Sequence, residues 1–406
     1  MTEFQPSKLG LISAILQSNV DKKSKPDEPA VELCNYTDVY YNDTITADLD
    51  FMKATASPDQ IERLRLSEGD VIITKDSETA DDIGIPAYVE STHDSLICGY
   101  HLTILRAHPQ KAFPKFLYYS MLARETGEYW EKRANGVTRV SIPQQVVSSL
   151  TIPLPDLETQ HRIADYLDKE ISEMDALIAE LEALVTNLQS RKVLLTARIT
   201  SQDESGKKYP TYPIGLLFGN IGSGTTPRGD EWYTEPSKNG IPWVTTSELR
   251  EISITETKKY VTQEAIEKVP GLRTHPAGSI LIAMYGATIG RFGRLSVPAS
   301  CNQACCVLSN PYKIDPDFFY SSLWAKRGEL ILLGSGGGQP NISQDVIRRF
   351  EMPVPPIEEQ RRKAKRLEQE TSEMDSLIEE STQLIENLKA RKTALITEVV
   401  TGRKEV

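Results

Sequence analysis

From Ala164 onward the apolar residues fall at alternating intervals of three and four: Ala164, Leu167, Ile171, Met174, Ile178, Leu181, Val185 and Leu188. That spacing is a heptad seam, and it predicts a long helix that pairs with another helix along one face. Leu177 and Leu184 add a second stripe beside it. The pattern returns 200 residues later in Ala364, Leu367, Met374, Ile378, Ile385 and Leu388, with Thr371 and Ser381 standing in the seam. Residues 157–200 and 357–400 align without a gap at 19 identities in 44, and ISEMDALI against TSEMDSLI is part of that match. PLPD (153–156) and PVPP (353–356) break the chain ahead of each helix, because proline suits the first helical turn but not what precedes it. At about 1.5 Å per residue, ~44 residues make a rod of roughly 66 Å. Neither helix can leave its seam in water, so each needs a partner, and the nearest is the other copy. Pairing within one chain has to be antiparallel, and it predicts a dumbbell with a pseudo-two-fold axis across the rod. The competing arrangement is a coil between two chains.

Outside the helices the period changes. Short apolar runs such as Val71-Ile72-Ile73 and Ile280-Leu281-Ile282, bounded by Gly, Asp and Ser, read as strands. KFLYYSMLARETGEYWEKR (115–133) and DFFYSSLWAKRGELILL (317–333) have helical spacing. The two halves also echo each other here: EGDVIITKD (68–76) against AGSILIAMY (277–285), CGYHLTIL (98–105) against CNQACCVL (301–308), and PKFLYYSML (114–122) against PDFFYSSLW (316–324). The expected fold class is α+β. Two mixed α/β units, residues 1–155 and 206–355, are joined by two long antiparallel coiled-coil helices, 156–205 and 356–406, with internal pseudo-two-fold symmetry. The helices match closely and the globular units poorly, so the chain supplies two related parts that differ in detail.

Composition narrows the function. The net charge of the 406 residues is −11, which taken whole argues against a nucleic-acid partner. By segment it runs −7 for 1–155, −6 for 156–205, +3 for 206–355 and −1 for 356–406, so much of the acid lies outside the second globular unit. No apolar run approaches the ~18–20 residues of a membrane span, and the N-terminus reads as mature protein without a signal peptide. Five cysteines (Cys34, Cys98, Cys301, Cys305, Cys306), an odd number with no CxxC, read as reduced thiols of a cytoplasmic protein. The histidine nearest the Cys301 group in the sequence is His275. GxxxxGK[ST], HExxH and GxSxG are absent; IGSGTTPRG (221–229) lacks the phosphate-loop lysine, and GSGGGQPN fits no nucleotide fingerprint. His161 reads as a solvated residue near the start of the first long helix. His101 follows a predicted strand. Asp81-Asp82 in SETADDIG read as a solvated acidic loop. No catalytic residue and no metal site emerge. The residues alone leave open an adaptor that holds two protein partners, or an enzyme hidden in the glycine-rich loops.

Two diverged units, each followed by a near-identical long helix, resemble the specificity subunit of type I restriction-modification systems. IGSGTTP, GIPWVTTSEL, SILIAMYGATIGRFG, CNQACCVL, GQPNIS and MPVPPIEEQ carry the likeness in the second half. VELCNYTDV, EGDVIITKD, GVTRVSI and IPLPDLETQ repeat it more loosely in the first. The resemblance covers essentially the whole chain. It implies that each globular unit is a target recognition domain for one half of a gapped, double-stranded DNA site. The helices, through Leu167, Ile171, Met174, Ile178, Leu181, Val185, Leu188, Leu367, Met374, Ile378, Ile385 and Leu388, would be spacers that dock methyltransferase subunits, two copies expected, and through them restriction and translocase subunits. It also implies a chain with no catalytic role and no cofactor of its own. Adenine methylation and restriction, with S-adenosylmethionine, ATP and Mg, belong to the partners. Exposed loop polars are the candidates for DNA contact: Tyr36, Thr37, Lys75, Tyr100, His101, Thr138 and Arg139 in the first unit, and Thr225, Thr226, Arg228, Thr246, Ser247, Tyr285, Arg291, Gln303 and Gln339 in the second.

Overall fold

The computed structural model describes residues 4–236, 239–335 and 341–406. The chain divides into two compact units, Met1–Glu182 with Thr382–Val406 and Ala183–Ser381. Both units are built on the same plan. In the first, a five-stranded sheet has the order Ser13–Gln17, Leu102–Ala107, Val71–Thr74, Pro86–Val89, Thr44–Ile45. In the second the order is Phe218–Ser223, Cys305–Pro311, Ile280–Ala283, Phe292–Leu295, Ser253–Ile254. All neighbours are antiparallel except the last pair, which is parallel in both sheets.

The central strands explain why their sequences are apolar without alternation. Successive side chains point to opposite faces, and each face has its own core. Val71 and Ile73 join the core that includes Phe116 and Trp130, while Ile72 joins the core of Leu33, Cys34 and Cys98. Ile280 and Ile282 pack with Phe318 and Phe319, and Leu281 and Ala283 with Val244 and Cys301. A smaller sheet covers the second face. In the first unit Ala30–Cys34 pairs antiparallel with Met52–Thr55 and parallel with Leu96–Cys98. In the second, Ile241–Val244 pairs antiparallel with Tyr260–Val261 and parallel with Ser300–Cys301.

The long helices span Leu157–Ser201 and Ile357–Val400. In the first unit the start of one packs antiparallel on the end of the other. Leu167, Ile171 and Met174 share a core with Leu395, Ile396 and Val399, and Ile178 meets Ile385 and Leu388. The Lys392 ammonium lies 2.8 Å from the Asp175 carboxylate, and Lys389 lies 3.2 Å from Glu182. In the second unit the complementary halves pair the same way. Lys192 donates to Asp375 at 2.7 Å, and the buried Lys363 donates to the carbonyls of Ile199 (2.7 Å) and Gln202 (3.0 Å), closing the open end of the first helix. Burial holds the Lys363 ammonium below its usual range. Leu367 and Ser381 are buried in this seam, and Leu181, Val185, Met374 and Ile378 are half-buried. The second stripe is different: Leu177 and Leu184 are 41% and 43% exposed, so only one stripe is used for pairing.

Each helix is tied to its globular unit by one glutamine. Gln160 has no exposed surface; it accepts from the Phe113 N–H (2.8 Å) and donates to the carbonyls of Lys111 (3.1 Å) and Pro155 (2.8 Å). Gln360 repeats this with the Asp315 N–H (2.7 Å) and the carbonyls of Lys313 (3.2 Å) and Pro355 (2.8 Å). The expected helix over 115–133 is in fact two, Pro114–Leu122 and Arg124–Glu131, broken at an extended Ala123. The break leaves the Arg124 N–H free to donate to the Thr397 hydroxyl of the second long helix (3.0 Å). In the second unit Pro316–Leu332 runs unbroken. No described helix is long and apolar enough to cross a membrane.

Candidate nucleic-acid interface

The parallel strand pair of each small sheet brings two loops side by side at its carboxyl end. In the first unit the Gly99 N–H donates to the Cys34 carbonyl (2.8 Å), which places Tyr36 and Thr37 beside Tyr100 and His101. In the second the Asn302 N–H donates to the Val244 carbonyl (3.0 Å), which places Thr246 and Ser247 beside Gln303. A third loop follows each central strand and carries Lys75 or Tyr285. It is joined in both units by one backbone bond, Ile142 N–H to the Lys75 carbonyl and Ile342 N–H to the Met284 carbonyl, each 2.8 Å.

In the first unit these loops form one contiguous cluster. The Lys75 ammonium donates to the Ser18 carbonyl (2.9 Å) and lies 4.9 Å above the Tyr100 ring. The Tyr100 and His101 rings meet edge to face at 4.1 Å. His101 sits at φ 72°, a left-handed conformation uncommon outside glycine. Its Nδ1 is 2.8 Å from Asp76 Oδ2, and its Nε2 is 3.3 Å from Arg139 Nη1. A guanidinium can only donate, so Nε2 accepts and Nδ1–H donates to Asp76. Tyr36 stacks on Tyr40 at 5.4 Å, and burial raises its phenol above the usual range. Thr37 is exposed in the helix Tyr36–Tyr41 rather than in a loop as expected, and Thr138 is exposed in the loop ahead of Val140–Ser141. The short ladder Val140–Ser141 against Asp76–Ser77 seats Arg139 beside His101.

In the second unit the Thr226 hydroxyl donates to the Gln303 side chain, and the Tyr285 hydroxyl donates to the Gln303 carbonyl (3.2 Å). The Thr225 N–H bonds the Cys301 carbonyl (2.9 Å), and its own carbonyl accepts from the Trp243 indole (3.1 Å). Thr225, Thr226, Tyr285 and Gln303 therefore come together; Arg228 is exposed next to them in sequence. Arg291 does not join them: its guanidinium is held by Glu251, at 3.3 and 2.7 Å. Gln339 lies outside the described residues. His275, far from Cys301 in sequence, stands beside it. Cys305 first and His275 next pull the Cys301 thiol down to about 6, while Cys305 is pushed up. All five cysteines are buried free thiols.

His161 is exposed, as expected, and its ring also stacks on Phe113 at 3.7 Å. Asp82 accepts the Tyr40 hydroxyl at both carboxylate oxygens (3.0 and 2.9 Å), so the acidic loop is partly bonded. Sequence reasoning missed Asp76, the group that fixes His101. Its signal was adjacency to Lys75, but its partner lies 25 residues away.

The profile of the type I restriction modification DNA specificity domain matches this sequence twice, over residues 1–187 and 217–387. The chain belongs to that family. A Methanocaldococcus jannaschii relative, provisionally named the MjaX type I restriction enzyme specificity subunit, is 26% identical over 369 residues, covering 86% of this chain and 81% of the relative. The EcoR124I/EcoR124II specificity subunit of Escherichia coli is 24% identical over 374 residues, covering 84% and 82%. Among solved structures, a chain described under "Structural basis underlying complex assembly and conformational transition of the type I R-M system" superposes with a TM-score of 0.73 at 17% identity, covering 98% of both chains. At that identity the likeness bears on the fold. These relatives are named as specificity subunits of type I restriction enzymes, and this chain shares their specificity domain in both halves.

Proposed function

We propose that this chain selects the DNA site for a type I restriction-modification assembly by reading two half-sites, one with each globular unit. The observation that carries the reading is a contrast between constant and variable parts. The two units present side chains just after the same three strands, yet the residues there differ: Tyr36, Lys75, Tyr100 and His101 in one, Thr246, Tyr285 and Gln303 in the other. The helices keep the same Lys–Asp clasps and the same buried glutamine. Base-edge contacts must differ between two half-sites, whereas surfaces that bind two copies of one partner must not. The helices are the spacer that sets the gap and the dock for two methyltransferase subunits, with restriction and translocase subunits attached through them. S-adenosylmethionine, ATP and Mg act on those partners, which methylate adenine after flipping the base from the stack. The complex works in the cytoplasm. The acidic first unit meets the polyanion through the Lys75 and Arg139 face, with the methyltransferase adding nonspecific attraction. The test is a single-molecule methylome of cells with and without this gene. A two-part, gapped methylated motif is expected to vanish with the gene; its persistence, or the lack of any such motif, would overturn the reading.

A further inference from the structure

We propose that Arg139 reads a guanine in the half-site of the first unit, and that Asp76 and His101 are positioning residues that aim it. The inference rests on the DNA-reading role given above and assigns chemistry within it. Asp76, His101 and Arg139 form a line from interior to surface. The Asp76 side chain is 15% exposed, the His101 side chain 25%, and Arg139 is exposed. Asp76 fixes the imidazole with its Nε2 lone pair outward, and that lone pair holds one Nη1 hydrogen of Arg139. The other N–H groups of the guanidinium have no hydrogen-bond partner among the described residues and form a planar fork. A fork matches O6 and N7 of guanine in the major groove, the commonest specific arginine contact with a base. A phosphate accepts the same fork, but a phosphate contact carries no sequence information, so only guanine reading predicts a change confined to one base position.

The backbone is equally constrained. Asn135 and Ser141 exchange backbone hydrogen bonds (3.0 and 2.9 Å), which closes the loop that carries Arg139. Gly136 sits at φ 147° with its α-carbon so close to the Arg139 carbonyl that a Cβ there would lie 1.9 Å from the oxygen. The loop closes this tightly only because residue 136 is glycine.

The experiment uses the full chain with its own methyltransferase subunits in a host lacking other DNA methylation, and reads the methylated motif base by base. Arg139→Ala and Arg139→Lys should relax one position that is a G·C pair in the parent motif, at least about tenfold for the alanine variant. The other half-site should remain strict. His101→Ala and Asp76→Ala should relax the same position by a smaller factor, and His101→Gln, whose amide oxygen can still accept from Arg139, should restore it. A merely structural role would lower methylation at all sites without changing the motif, and that outcome overturns the proposal. So does relaxation at an A·T pair, or an unchanged motif in Arg139→Lys, an exposed substitution that keeps the charge. If the parent chain shows no gapped motif, it is the underlying DNA-reading role that fails.

Discussion

Gln160 and Gln360 have no solvent to fall back on, so the worth of each lies in the three backbone groups it satisfies. Replacing either with leucine keeps the volume but strands one N–H and two carbonyls. A loss of about 2–4 kcal/mol is expected, since each orphaned buried group costs about 1–3 kcal/mol before relaxation. Urea unfolding of the full chain checks it, and a loss below about 1 kcal/mol in both variants would show that water replaces the amide. At this scale the sequence was only half legible. Both glutamines stand out as identities in the helix alignment, yet the backbone N–H groups they accept from lie 47 and 45 residues away, which no side-chain pattern encodes. Arg291 shows the opposite failure. It looked like a free reader, but Glu251 holds it from 40 residues away.

At the level of elements, the Asp of SEMD-x-LI and the Lys of the later Arg-Lys pair were visible as repeats but not as partners. In space Asp175 meets Lys392 and Asp375 meets Lys192, and Lys192 also lies 5.0 Å over the Trp324 ring. Exposed pairs of this kind contribute only about 0–1 kcal/mol each; their effect is on register more than on stability. Asp375→Lys and Lys192→Glu should each destabilise the chain by about 0.5–1 kcal/mol, and the double exchange should recover most of that in a double-mutant cycle. Strictly additive losses would remove the pairing argument. The helices themselves were the most legible part of the molecule, because a strict period survives over many turns. The break at Ala123 was not, because it exists to offer an N–H to Thr397, a tertiary bond that overrides local helical spacing. The small sheets were hidden as well: strands of two or three residues, such as Leu96–Cys98 and Ser300–Cys301, are too short to show alternation.

For the molecule as a whole, the helices act as a length standard in the proposed function. One heptad is about 10 Å of helix, or about three base pairs at 3.4 Å each. Inserting seven residues in register after Glu182 and again after Ser381 is expected to lengthen the gap in the methylated motif by about three base pairs, or to abolish assembly. An unchanged gap with full methylation would rule out the ruler. The pairing of Asp175 with Lys392 and of Asp375 with Lys192 also speaks to ancestry. Each repeat carries both the acid and the base that its counterpart requires, which is the signature of an isologous contact. A half-length forerunner with one unit and one helix would have held everything needed to dimerise with a second copy of itself. Fusion of two such copies would leave the globular units free to diverge and would hold the self-complementary helix constant.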